Sequence, residues 1–177
     1  KKNQEFISLI EAENFAKECN TLISNIYVSN KGYLSQKNKD IMRNRIEILS
    51  KLKEKHKTYI ITTYTNDLTF HYYHSTGNYK KALETAYQNL EEIKIENEKL
   101  SLFQSYRNIG IAHSFLAQYD ESTNWFLLAK DLPSQNSTYW FYITSLLYLN
   151  YIHLQDYDKL IEISIDVLSN KHLNKYP

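Results

Sequence analysis

The chain has 177 residues, 42% of them hydrophobic and 23% charged, and a formal net charge of +1. This length and composition are typical of a folded domain with a sizeable core, and they exclude an intrinsically disordered chain. The balanced charge gives no general electrostatic basis for binding nucleic acid. Because the sequence has only three glycines and two prolines, it predicts long uninterrupted helices.

The first half of the chain predicts three helices, over about residues 4–29, 40–56 and 57–75, from apolar residues at helical spacing. No glycine or proline separates the second helix from the third, so one bent helix is an alternative there. Cys19 lies among apolar residues at helical spacing, which indicates a small buried side chain. As the single cysteine of the chain, it excludes an intramolecular disulfide and is compatible with a reducing compartment.

A basic run occupies residues 31–57, where nine Lys and Arg residues accompany three acidic residues. We expect a solvated helix face here. Direct binding of RNA or DNA by this run is the less favoured alternative, and it predicts an affinity that falls steeply with salt.

The second half predicts five helices, over about residues 79–95, 98–117, 120–131, 138–155 and 158–168. Three triplets each close one helical pattern and open the next, with steps of 40 and 38 residues between them: Gly77-Asn78-Tyr79, Ala117-Gln118-Tyr119 and Gln155-Asp156-Tyr157. A repeat of this period without any strand signal predicts an all-α chain. We expect an α-solenoid of about eight helices in antiparallel hairpins.

The best-developed repeat resembles the tetratricopeptide repeat family. It has the residues Tyr106, Gly110, His113, Ala117, Tyr119, Ser122, Phe126 and Ala129 in the family's order, followed by Pro133. The resemblance implies three repeats, over residues 64–97, 103–136 and 141–174, preceded by a divergent hairpin and a linker helix in residues 1–63. Tyr148 and Leu160 stand at two usually small positions of the last repeat, which predicts a less closely packed hairpin.

The resemblance also implies a groove lined by the first helix of each hairpin. We refer to its twelve candidate residues as the predicted groove: Tyr64, Asp67, His71, His74, Gln104, Arg107, Asn108, Ile111, Phe115, Tyr142, Ser145 and Leu149. Some family members hold the terminal carboxylate of a peptide with Lys, Asn and Arg residues at particular groove positions. Only Asn108 matches that set, so we expect that this chain does not bind such termini.

Two groups within the predicted groove have alternative interpretations. Asp67, His71 and His74 share one helix face. The favoured interpretation is a plain solvated face, the next is a contact with a peptide, and zinc binding is the least favoured. Asn108 and Arg107 either hold a peptide backbone and a carboxylate, or Asn108 is a satisfied polar residue between helices. We predict no metal and no cofactor.

Two tryptophans, Trp125 and Trp140, flank the break at Pro133. We expect them to pack at a hairpin junction, with a surface binding role as the alternative. The sequence has no phosphate loop, metalloprotease motif, nucleophile elbow or Cys-x-x-Cys pair, so we expect no enzyme.

The function that these observations predict is binding of a protein or peptide, with no membrane contact and no direct nucleic-acid contact. The repeats resemble those of bacterial peptide-sensing transcription regulators and sensor kinases, so we expect a part of a larger, cytoplasmic, regulatory or signalling protein. The chain starts without methionine and ends at Pro177, which also suggests a piece of a longer polypeptide. The alternative is a structural solenoid that packs on neighbouring domains or forms a homodimer.

Overall fold

The computed structural model describes residues 2–29, 34–93, 99–134 and 137–169, with the side chains of 8–21 in the first range. These residues form eight α-helices: α1 (Lys2–Ser29), α2 (Gln36–His56), α3 (Tyr59–Ser75), α4 (Tyr79–Ile93), α5 (Lys99–Phe115), α6 (Tyr119–Lys130), α7 (Thr138–Leu154) and α8 (Tyr157–Leu168). Every regular element in the described ranges is a helix, so the predicted all-α class and the helix count are confirmed. No helix of the described part combines the length and the hydropathy that crossing a bilayer requires.

Three short turns reverse the chain, between α3 and α4, α5 and α6, and α7 and α8. The first residues of the predicted triplets, Gly77, Ala117 and Gln155, have left-handed φ angles of 76°, 58° and 56°. In each turn the following N–H donates to the carbonyl five residues back, which closes the helix end: Asn78 to Tyr73, Gln118 to His113 and Asp156 to Tyr151. The turns that the triplets predicted are therefore confirmed.

The boundary between α2 and α3 lies at Lys57, whose φ of 51° takes the chain out of the helix. The next residue, Thr58, accepts a hydrogen bond from the Ile61 N–H and caps α3. Two separate helices are therefore present instead of one bent helix. At its other end α2 begins four residues earlier than expected, because the Ser35 side chain caps it.

The chain divides into two compact units, Lys1–Glu96 and Asn97–Pro177. We call them the N-terminal and the C-terminal unit. In both, helices pack against their neighbours in the chain, as in a helical repeat. The predicted domain boundary at residues 63/64 lies inside α3, and the predicted repeats at 64–97, 103–136 and 141–174 stay predictions.

One buried cluster of the N-terminal unit is formed by α1, α2 and α3, and α4 adds the buried residues Ala82, Ala86, Leu90 and Ile93 to the core of this unit. The buried side chains of the cluster come from all three helices: Ala12, Ala16, Cys19, Met42, Leu49, Ile61 and Leu68. Cys19 is buried as the sequence predicted, and this burial raises the pKa of its thiol.

The core of the C-terminal unit forms where α7 lies on the hairpin α5–α6. Phe103 of α5 and Phe126 and Ala129 of α6 pack with Ile143 and Leu147 of α7. Dispersion and burial of apolar surface stabilise this contact.

Helices α5 and α6 approach each other closely at Gly110. The Ser122 hydroxyl donates a hydrogen bond of 2.7 Å to the Gly110 carbonyl. A Cβ atom at position 110 would lie 2.4 Å from a ring carbon of Phe126, so this approach requires glycine.

Helices α7 and α8 pack together less closely than α5 and α6. Tyr148 and Leu160 stand 38 residues after Gly110 and Ser122, and their larger side chains keep the two helices apart. The prediction of a looser last hairpin is confirmed.

Candidate functional site

A cleft of about 630 Å³ lies between α7 and α8, and we call it the α7–α8 cleft. Five residues of α7 and four of α8 line it: Phe141, Thr144, Ser145, Tyr148, Leu149, Ile163, Ser164, Val167 and Leu168. None of these residues is charged. Their polar groups are the hydroxyls of Thr144, Ser145, Ser164 and Tyr148. The volume and the apolar lining are typical of ligand-binding clefts, which occupy about 300–1,000 Å³.

Helix α7 borders the cleft with an exposed apolar face. Its 17 residues include no Asp, Glu, Lys or Arg, and a predominantly apolar helix is normally buried. One face of α7 enters the core, yet Tyr142, Leu149 and Ile152 on other faces are 43–53% exposed. Exposed apolar side chains at this density are typical of an interaction surface.

The three predicted groove residues of α7 all belong to this open region. Ser145 and Leu149 line the α7–α8 cleft. Tyr142 is exposed one turn before Ser145, and its carbonyl accepts a hydrogen bond of 2.6 Å from the Ser145 hydroxyl. The structure therefore brings Tyr142, Ser145 and Leu149 together on accessible surface.

The five predicted groove residues of α5 differ in accessibility. Phe115 is exposed, Gln104 and Arg107 are half-buried, and Ile111 packs against the core of the C-terminal unit. Asn108 is only 1% exposed, and its Oδ1 accepts hydrogen bonds of 3.1 and 2.7 Å from Nε and Nη2 of Arg107. This burial favours the interpretation of Asn108 as a satisfied polar residue between helices.

The remaining predicted groove residues belong to α3, in the N-terminal unit: Tyr64, Asp67, His71 and His74. Tyr64 is half-buried against the core and Asp67 is buried, 3.7 Å from Nε2 of His71. The half-buried His74 lies between the rings of Phe70 and Tyr79. Burial lowers the pKa of His74 because it disfavours the charged ring.

No group of three or more His, Cys, Asp or Glu residues in the described ranges is arranged to hold a metal ion. The Asp67, His71 and His74 side chains therefore supply no metal-binding cluster. The burial of Asp67 also makes a fully solvated face the wrong description of this part of α3.

A buried polar network connects α5, α6 and α7 around Asn150, which sequence reasoning missed. Its Nδ2 donates to Ser122 Oγ and Thr123 Oγ1 at 2.7 and 3.2 Å. Its Oδ1 accepts from the Ser114 hydroxyl at 3.2 Å. The only sequence signal was an asparagine within a helix that has no charged residue, and its partners lie 27 to 36 residues away.

The N-terminal unit has a second cleft, of about 580 Å³, near the end of α2. At its edge Lys53 pairs with Glu92 of α4 at 3.0 Å and also donates to Asn66 of α3. This ammonium group is matched by a carboxylate within the chain, so it offers no unpaired charge to an anionic ligand.

Other cations of the basic run also have partners inside the N-terminal unit. Arg43 donates to the Tyr72 hydroxyl at 2.9 Å, and the guanidinium of Arg45 lies 4.7 Å from the centre of the Phe15 ring. Lys31, at the start of the run, lies outside the described residues.

Both tryptophans pack within the C-terminal unit. Trp140 is buried, and the Trp125 ring lies 5.6 Å from that of Tyr106. Their positions favour the packing interpretation over a surface binding role.

No protein-family model matches this chain, and no curated protein is similar to it. The assignment of function therefore depends on the side chains and their geometry.

Proposed function

We propose that the chain is a protein-binding helical-repeat module, of the kind that tetratricopeptide repeats form, and that its C-terminal hairpin binds an apolar segment of a protein or peptide. The exposed apolar face of α7 beside the α7–α8 cleft carries this proposal. The cleft has no charged lining residue, so it offers apolar contact and a few hydroxyl groups instead of acid–base chemistry. That composition supports binding and gives no support to catalysis.

The expected affinity is moderate. A fully buried large apolar side chain contributes about 1.5–3 kcal/mol, and the side chains of this face, such as Tyr142 and Leu149, are already about half covered in the free chain. Association itself costs at least about 4 kcal/mol. A micromolar dissociation constant, about −8 kcal/mol, is therefore the scale to expect for a short segment.

The resemblance in the sequence supports a setting within a larger, cytoplasmic regulatory or signalling protein of a bacterium. In that setting the hairpin would recognise a peptide or a domain of a partner. Flanking sequence that encodes a DNA-binding or a kinase domain would identify which of the two kinds of regulator it is.

A second candidate function is structural packing. Helix α8 has an outward row of exposed apolar residues at helical spacing, Tyr157, Ile161 and Ile165. Such a row supports contact with a neighbouring domain or with a second copy of the chain.

A selection experiment tests the proposed function. Peptides of about 16 residues are selected from a random library on the immobilised protein, and single peptides are then titrated by fluorescence anisotropy. We expect Leu149→Glu to weaken their binding about tenfold or more, because it places a carboxylate on an apolar contact surface.

The matched control is Leu128→Glu on α6. Leu128 is 48% exposed and Leu149 53% exposed, so the two variants make the same chemical change at similar exposure. If no peptide is enriched, or if both variants bind every selected peptide as the wild type does, the proposal is wrong.

A further inference from the structure

A further cleft, of about 510 Å³, lies where α6, α7 and α8 meet, and we call it the α6–α8 cleft. Each helix contributes to its lining, chiefly through Leu127 and Lys130 of α6, Leu147 and Tyr151 of α7, and Ile163 and Asp166 of α8. Among the described residues it shares Ile163 alone with the α7–α8 cleft. It is therefore a separate site, which the proposed function does not use, and its volume is in the range of small-molecule sites.

The buried part of this lining is apolar apart from one hydroxyl group. Leu147, Ile163 and Tyr151 are at most 7% exposed. The Tyr151 hydroxyl makes no hydrogen bond with any residue that the structure describes, and its oxygen is not sealed within the protein. A polar group on a nine-tenths buried side chain normally has a partner. Because Tyr151 lines the cleft, water or a ligand in the cleft is the partner that remains.

The Tyr151 hydroxyl is a hydrogen-bond donor at neutral pH. Burial raises the pKa of this phenol above its usual value. Lys159 partly opposes the effect, and the carboxylates of Asp156 and Glu162 add to it. The phenol therefore keeps its proton near pH 7. The ligand group that it favours is an acceptor, such as a carbonyl oxygen.

The charged residues of the lining are matched among themselves. Lys130 pairs with Asp166 at 3.1 Å, and its ammonium also lies 5.3 Å from the centre of the Trp140 ring. Lys159 pairs with Glu162 at 2.7 Å. A charged ligand would have to separate one of these pairs or lose its hydration without gaining a counter-charge. An uncharged ligand does neither.

We infer that the α6–α8 cleft binds a small uncharged molecule that has an apolar body and one hydrogen-bond acceptor. The body packs against Leu127, Leu147 and Ile163, where burial of apolar surface stabilises it. The acceptor receives the hydrogen bond of the Tyr151 hydroxyl, and both ion pairs stay intact. An aromatic or aliphatic ketone has this chemistry.

Acetophenone serves as the probe, because it joins an apolar ring to one carbonyl group. Ethylbenzene has the same carbon skeleton without the oxygen and is the first control. Benzoate and benzylammonium are the charged analogues. Each compound is titrated into the isotope-labelled chain, and the amide chemical shifts in NMR spectra give both the affinity and the residues at the site.

We expect acetophenone to shift the amides around Leu127, Tyr151 and Ile163, and to bind more tightly than either charged analogue. Tyr151→Phe should weaken acetophenone binding about three- to tenfold, as expected for the loss of one hydrogen bond. The same variant should leave the binding of ethylbenzene unchanged. It should also keep the wild-type stability in urea unfolding, because the hydroxyl that it removes has no partner in the described part of the chain.

Two neighbouring leucines of α6 test the apolar part of the cleft. Leu127 lines the cleft and is 42% exposed, whereas Leu128 is 48% exposed and is not part of the lining. Leu127→Glu should weaken the binding of acetophenone and of ethylbenzene about tenfold, because it places a carboxylate on the apolar contact surface. The matched control Leu128→Glu should change neither.

Several outcomes would overturn the inference. One is that acetophenone at millimolar concentration shifts no amide, or shifts only those around Tyr148 and Leu149 in the α7–α8 cleft. Another is that Tyr151→Phe weakens the ketone and the hydrocarbon by the same factor, or weakens neither. A third is that Leu127→Glu and Leu128→Glu have equal effects. Tighter binding of benzoate or benzylammonium than of acetophenone would show that the cleft selects a charge, and would overturn the inference as well.

Discussion

Replacing Gly110 by alanine should destabilise the C-terminal unit, although alanine is the better helix former. The new Cβ would lie 2.4 and 2.5 Å from two ring carbons of Phe126, which is buried in the core. Overpacking of a core costs about 1–3 kcal/mol, and this overlap is severe because the ring has little room to move. The substitution gains about 1 kcal/mol in helix propensity, so we expect a net loss of about 2 kcal/mol.

Tryptophan fluorescence during urea unfolding measures this loss in the C-terminal unit alone. Both tryptophans of the chain, Trp125 and Trp140, belong to this unit. Phe126→Leu removes the ring that overlaps. The free energy of unfolding should therefore fall in the double variant by at least about 1 kcal/mol less than the sum of the decreases in the two single variants. A Gly110→Ala variant that is more stable than the wild type would refute the close approach of α5 and α6.

Three further predictions concern a buried polar network, a buried histidine and an ion pair. Asn150→Leu removes the centre of a buried network and should lower the free energy of unfolding, followed by tryptophan fluorescence, by about 2 kcal/mol. The control Asn124→Leu, at an exposed position, should change it hardly at all. Equal decreases in the two variants would contradict the network. His74 has a pKa below its ordinary value when folded, so the chain should lose stability as the pH falls below about 6.5, and His74→Phe should reduce that loss in urea unfolding followed by circular dichroism. An unchanged pH dependence would argue against the burial of His74. Glu92→Gln should lower the free energy of unfolding by about 1 kcal/mol or less. The decrease should be smaller in a Lys53→Met background, because the partly exposed ion pair is already lost there. Equal decreases in the two backgrounds would mean that the pair is not formed.

Most of the helices could be predicted because their determinants are local. Apolar residues recur every three or four positions, and the triplets that begin at Gly77, Ala117 and Gln155 place the turns within a few residues. The boundary at Lys57 could not be predicted with the same clarity. Lysine has no intrinsic preference for a left-handed φ, and the cap at Thr58 forms only once the chain has left the helix.

The candidate site could be predicted in part. Tyr142, Ser145 and Leu149 are on open surface, as the resemblance implied, whereas Asn108 and Asp67 are buried. A residue's helix face follows from its position in the sequence, but its accessibility depends on the helices that pack over that face. The contribution of α8 to the cleft, through Val167 and Leu168, was missed because the resemblance assigns the groove to the first helix of each hairpin.

The sequence by itself determined the helical class, the hairpin turns and the loose packing of the last hairpin, because each follows from side chains that are close in the chain or from the size of one residue, such as Tyr148. Only the tertiary structure decided which polar groups meet around Asn150 and where the cleft opens between α7 and α8. Those features depend on distances between residues that are tens of positions apart. Such distances are set by how whole helices pack, and no local pattern encodes them.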